Sequence, residues 1–101
     1  MIFRVIQDSE AVVEFEQGVA WYEGQVEGLG VRFTLAVDKI LTAISSQPFQ
    51  FSKAGSIARK AQVLGWPYTI YFVVNEVHAE IKVVAIWHGA RNPRKLRQRL
   101  R

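Results

Sequence analysis

The sequence predicts an α+β domain: an N-terminal strand, a two-helix hairpin and then a three-stranded antiparallel sheet (β-α-α-β-β-β), with the helices packed on one face of the sheet. Three observations predict it. Apolar residues recur at three- and four-residue steps between Val12 and Ile44, Pro48 stops that pattern, and strand-length runs rich in branched and aromatic residues fill the stretch from Ala58 to His88. With 101 residues, half of them apolar, the chain has one modest core and no length for a second domain, so residues 1–101 read as a single unit ending in a basic extension from Gly89 to Arg101.

Ile2 to Gln7 reads as a short strand, followed by Asp8 or Ser9 as a helix cap and Glu10 in the first turn. A long helix follows. Val12, Phe15, Val19, Tyr22 and Val26 form its apolar face, with Glu14, Glu16 and Glu23 expected off it, and Gly28 ends it. The second helix carries Leu29, Phe33, Ala36, Val37, Ile40, Leu41 and Ile44 and runs to Gln47, because Pro48 cannot continue it. Gln50 to Ser56 has no period and reads as a loop. Strands are then expected at Ala58 to Leu64, at Tyr68 to Val74 and, after a turn at Asn75 to His78, at Glu80 to His88, with Ile81, Val83, Ala85 and Trp87 on one face of the last.

Composition excludes several function classes. No cysteine is present, so disulfides, thiolate metal sites and thiol nucleophiles are out, and a reducing, cytoplasmic setting is expected. The apolar runs Ile70 to Val74 and Val83 to Trp87 are strand-sized, which predicts no membrane span, and Met1 to Asp8 is too short and too polar for a secretory signal. His78 and His88 are separated by a turn and a strand, so no metal and no cofactor are expected. Gly28-Leu29-Gly30 lacks the remaining elements of a phosphate loop and reads as cap and turn chemistry. The acidic pairs Glu10/Glu14 and Glu23/Glu27 read as an exposed helix face.

Charge is distributed unevenly. Residues 1–50 hold three cations against seven acids, a net of −4, whereas residues 51–101 hold ten against two, a net of +8. Six of those ten follow His88 with no acid among them. Such a tail suits an anionic partner, although a solvated basic end is the plainer alternative. Arg59, Lys60, Arg91, Arg94, Lys95, Arg97 and Arg99 are the candidate target-binding residues. A histidine among arginines also suits metal-free phosphodiester cleavage, for which Arg59, His88 and Arg91 are the candidate catalytic set, short of an evident general base. Trp21, beside Tyr22 on the first helix, is expected either to pack on the end of the helical hairpin or to cover an edge or a partner surface.

Trp21-Tyr22, Gly28-Leu29-Gly30-x-Arg32-Phe33, Pro48, Arg59, Trp66-Pro67-Tyr68 with Ile70 and Tyr71, and His88-x-x-Arg91-x-Pro93, in that order, resemble the RelE/ParE toxin superfamily of type II toxin–antitoxin systems, also known as plasmid stabilisation systems. The resemblance spans nearly the whole chain. It implies two N-terminal helices on a small antiparallel sheet and a cytoplasmic toxin held inactive by a cognate antitoxin, with Trp21, Tyr71 and Trp87 as candidate antitoxin contacts. Members divide into RelE-like enzymes that cleave mRNA on the ribosome and ParE-like proteins that inhibit DNA gyrase. Trp-Tyr, Gly-Leu-Gly-x-Arg-Phe and the lack of a C-terminal tyrosine look more ParE-like, whereas Leu96 departs from the tryptophan of many ParE-like chains. A nucleic-acid or protein-binding module without toxicity is the remaining alternative.

Overall fold

A computed structural model describes residues 2–101. The elements are β1 (Arg4–Gln7), α1 (Ser9–Gln25), α2 (Leu29–Ser46), a 3-10 turn (Pro48–Gln50), β2 (Ala58–Gln62), β3 (Tyr68–Asn75), β4 (Glu80–His88) and α3 (Pro93–Arg99). The α+β topology expected from the sequence is present, with a helix added at the end. The sheet runs β1-β4-β3-β2: β1 is parallel to β4, and the β4-β3-β2 meander is antiparallel. No helix among the described residues is long and apolar enough to cross a membrane.

The helical hairpin turns at Gly28, whose left-handed φ of 86° suits a residue without a Cβ. Glu23 secures the joint, its carboxylate accepting from the amides of Gly28 (2.8 Å) and Gly30 (2.9 Å), donors that a helix start otherwise leaves open. Gly30 is required by space. A Cβ there would lie 2.8 Å from the Val19 carbonyl oxygen and 2.9 Å from Glu23 Oε1, so the helices touch backbone to backbone.

The main core lies between the hairpin and the sheet. Phe33, Val37 and Ile44 of α2 meet Ile70, Phe72, Ile81, Val83 and Ile86, all essentially inaccessible to water. Phe33 anchors an aromatic cluster with Tyr22, Trp66 and Tyr68 at centroid distances of 5.1, 5.2 and 4.9 Å. Gly18 admits that cluster to α1, since a Cβ there would sit 3.0 Å from the Phe33 ring and 3.2 Å from the Tyr68 hydroxyl.

Three expectations need correction. The α1 face that packs inward adds Ala11, Glu14 and Gly18 to the expected Tyr22, with Phe15 and Val19 half-buried against the core, while Val12 and Val26 are exposed; α1 ends at Gln25. Ile81, Val83, Ala85 and Trp87 do not share a face, because Tyr71 pairs with Ala85 and Phe72 with Val83, leaving Val84 as an extra residue. A bulge of this kind reverses which side the following residues occupy. Ile81 and Val83 therefore face the helices, whereas Ala85 and Trp87 join Tyr71 on the opposite side. The chain after Gly89 is not merely an extension: Asn92 caps α3 by accepting from the Arg94 amide at 2.9 Å, Pro93 occupies its first turn, and Leu96 and Leu100 pack on that second face.

Two glycine substitutions test the hairpin. Gly30→Ala should cost about 1–3 kcal/mol in denaturant unfolding, as overpacking against rigid backbone does. Gly24→Ala, where an added Cβ meets nothing within 4 Å, should be neutral or stabilise by up to about 1 kcal/mol.

Candidate functional site: an α1 groove and a cationic α3

Glu14 organises the region. β1 ends at Gln7, paired with Val83, so β4 continues beyond it without a strand on that side. The Glu14 carboxylate, on a residue only 8% exposed, fills in by accepting the Ile86 amide at 2.9 Å. A buried carboxylate needs countercharge, and two guanidinium groups supply it: Arg91 at 2.5 Å on one oxygen and Arg99 at 2.5 Å on the other. Arg99 also reaches Glu10 at 2.8 Å and donates through Nε to the Val84 carbonyl at 3.2 Å. Both arginines lie over the Trp87 indole, Arg91 with its guanidinium carbon 3.7 Å from the ring centre and Arg99 at 5.4 Å. α3 is thus clamped at both ends.

The clamp divides the candidate cations. Arg91 and Arg99 are held by acids, whereas Arg94, Lys95 and Arg97 are exposed on α3 with no acidic partner among the described residues. Lys60 pairs with Tyr71 across β2–β3 and projects toward α3, where the two flank a cleft with Arg97 and Arg101. Arg59 points the other way: it donates to the Phe51 carbonyl at 2.7 Å and lies over the Phe49 ring. Arg59 pairs with Phe72 and His88 with Tyr68, which puts roughly 13 Å of β3 and two strand spacings between them. The structure therefore brings His88 and Arg91 together but leaves Arg59 apart.

Of the candidate antitoxin contacts, Trp21 is 60% exposed, Tyr71 is half-buried beside Leu96 and Leu100, and Trp87 is 4% exposed beneath the two arginines. Only Trp21 offers a free aromatic face while α3 is docked. It stands at the mouth of a cleft of about 310 Å³ that Tyr22, Tyr68, His88 and Arg91 also line. His88 Nδ1 accepts from the Ala90 amide at 3.0 Å, so a neutral ring carries its proton on Nε2. Burial raises the pKa of the Tyr68 phenol above the usual 10.0; Tyr22 and Glu14 act in the same direction and Arg91 opposes them. Burial raises that of Tyr22 as well.

Sequence reasoning missed Glu14, assigned to an exposed face. The signal was its register with Ala11, Gly18 and Tyr22, a three- and four-residue stripe hidden because two of its members are small. Glu23 was missed likewise, since an acid seven residues before Gly30 gives no hint of capping across a turn.

Removing the clamp should loosen the tail. Glu14→Gln should cost about 2–4 kcal/mol, discounted for the partial exposure of Arg91, and should abolish amide-exchange protection around α3 before that of β3. Alkaline pH probes the phenols of Tyr22, Tyr68 and Tyr71: the fold holds their protons more tightly than the unfolded chain does, so their contribution to stability is intact below about pH 10 and is lost as the pH rises above it. Tyr68→Phe should flatten that fall in melting experiments across the alkaline range.

No protein-family model and no curated protein matches the sequence. A solved chain described as "Chromosomal ParDE TA system from P. aeruginosa" is similar in structure, with a TM-score of 0.70 over 86% of this chain and 96% of that one, at 14% identity. At that identity the likeness speaks for architecture. The chain shares its fold with a component of a ParDE toxin–antitoxin system, in agreement with the fold that the resemblance to the RelE/ParE superfamily implied.

Proposed function

We propose that the chain is the toxin of a type II toxin–antitoxin pair, acting in the cytoplasm and neutralised by a cognate antitoxin. Its action is ParE-like: it arrests growth by binding DNA gyrase, and the outward side of α3 makes the contact. The observation that carries this reading is the division of the tail's cations, which pairs Arg91 and Arg99 with acids and leaves Arg94, Lys95 and Arg97 unpaired on a short helix anchored against the sheet. An anchored helix presents charge at low entropic cost, as a docking element requires. The shared fold with a ParDE component supports the assignment.

Binding suits the geometry better than cleavage. Metal-free cleavage of RNA needs a base, an acid and cations converging on one phosphate. Here Arg59 lies away from His88, and the charge of Arg91 is already directed at Glu14. Lys60, Tyr71, Arg97 and Arg101 do share a cleft, so an RNA-directed activity on that side is the reading to test against.

Inducible expression of the full chain in a bacterial host, with pulse-labelling of new DNA and new protein, decides between them. DNA synthesis should fail first and cells should filament. The triple variant Arg94→Ala, Lys95→Ala, Arg97→Ala should lose arrest while keeping its melting temperature within a few degrees, because exposed substitutions change stability by about 0.5 kcal/mol or less each. Protein synthesis stopping first would assign an mRNA endoribonuclease instead, and absence of arrest would leave a binding module.

A further inference from the structure

Arg94, Arg97 and Arg101 follow one another at three- and four-residue steps, so they line one side of α3 and of the turn that continues it. Seven helical steps span about 10 Å, a length over which one strand of duplex DNA presents about three phosphates. Lys60 carries the row onto the sheet. The cleft of about 500 Å³ that it shares with Ser56, Tyr71, Arg97 and Arg101 has no carboxylate in its lining, and Lys95 is exposed on the neighbouring side of α3.

The acids nearest this face are already matched. Glu10 and Glu14 meet Arg99 and Arg91, Asp8 lies 3.9 Å from Lys82, and Glu80 pairs with Arg4, so four acids cancel four cations. Glu16, Glu23, Glu27 and Asp38 belong to the two long helices or the turn between them, and Glu76 to the turn between β3 and β4. Lys60, Arg94, Lys95, Arg97 and Arg101 are left uncompensated.

Two further observations choose the kind of anion. A protein interface is built round an apolar centre, but on α3 Leu96 is buried and Leu100 half-buried, and the helix has no exposed large apolar residue. Single-stranded nucleic acid is held by bases stacked on open aromatic rings. Here Trp87 is buried beneath Arg91 and Arg99, and Tyr71 is half-buried beside Leu96 and Leu100, so neither ring is an open platform. A duplex keeps its bases inside and offers its backbone, which needs cations alone.

We propose that this face binds the sugar–phosphate backbone of duplex DNA without reading its sequence, with Arg94, Arg97 and Arg101 along one strand and Lys60 and Lys95 flanking them. This contact rests on the reading of α3 as the element that docks at gyrase and deepens it: the anion that α3 meets there is the DNA that the enzyme holds, not an acidic protein surface.

The test is fluorescence anisotropy of the full chain with a labelled mixed-sequence DNA duplex of about 20 base pairs, a single-stranded RNA of the same length and poly-glutamate, at about 50 to 200 mM salt. The duplex should bind in the micromolar range at the lowest salt, and log affinity should fall against log salt with a slope of about −2.7 to −4.5, as three to five phosphate contacts require. Lys60→Ala and Arg97→Ala should each weaken binding about threefold or more and make the slope shallower by about 1. Lys39→Ala, at an exposed cation of α2, should change neither. Tighter binding of the RNA or of poly-glutamate, a slope shallower than about −2, or an equal loss in Lys39→Ala would overturn the proposal. Failure of the two readings is distinguishable. Duplex binding without growth arrest discards toxicity and keeps the DNA-binding face, whereas arrest of DNA synthesis by a chain that does not bind the duplex discards that face alone.

Discussion

A carboxylate buried at the open side of a strand is the constraint from which the second half of the molecule follows. Glu14 completes the hydrogen bonding of β4 where β1 has ended, and its charge has to be matched in a place with little water. Arg91 and Arg99 lie eight residues apart, one just before the start of α3 and one at its end, so matching that one charge fixes both ends of the helix. Trp87 is then covered, the Val84 carbonyl gains a donor, and Arg94, Lys95 and Arg97 face outward. Replacing a buried ion pair with apolar residues is often harmless to stability, whereas removing one partner alone is costly, so a clamp like this one both selects one arrangement of the tail and makes its loss expensive.

The charge asymmetry of the sequence acquires a different meaning in this light. An acidic first half and a basic second half suggest an external anionic partner, yet part of the anion is internal: Glu10 and Glu14 meet Arg91 and Arg99, and Asp8 lies 3.9 Å from Lys82, while the Arg4–Glu80 pair runs in the opposite sense. Most of these are exposed contacts and worth little individually. Their effect is on the surplus. Once the paired groups are set aside, five of the nine remaining cations, Lys60, Arg94, Lys95, Arg97 and Arg101, gather on α3 and beside it on one face of the sheet, where a partner meets them as a patch.

The fold was legible where periodicity is strong and one-sided. α2 shows its stripe from Leu29 to Ile44 and its stop at Pro48, and β3 and β4 are runs of branched and aromatic residues bounded by turns. The site was legible only in outline, because its two decisive features contradict simple periodicity. The alternation of Ile81, Val83, Ala85 and Trp87 reads as one face until the bulge at Val84 divides it, and nothing in a sequence of apolar residues announces an unpaired one. Glu14 sits on the inward stripe of α1, where a carboxylate is stable only because arginines 77 and 85 residues later come to it. Trp21, by contrast, was readable as a surface residue, since Tyr22 beside it takes the inward position and two adjacent helical residues cannot share it.

The two faces of the sheet are covered unequally, and this explains the arginine content of the tail. One face carries two long helices with a full apolar stripe; the other carries seven residues of helix that contribute Leu96 and Leu100. Ordering the chain from Gly89 to Leu100 removes conformational freedom from every residue in it, more than two leucine contacts offset. Arginine is the residue that makes up the difference without requiring more apolar surface, because its planar group stacks on Trp87 while its fork engages Glu14, a combination lysine does not reproduce. Arg91 therefore belongs at once to the clamp and to the wall of the α1 groove, and the position of α3 and the chemistry of that groove depend on the same side chain.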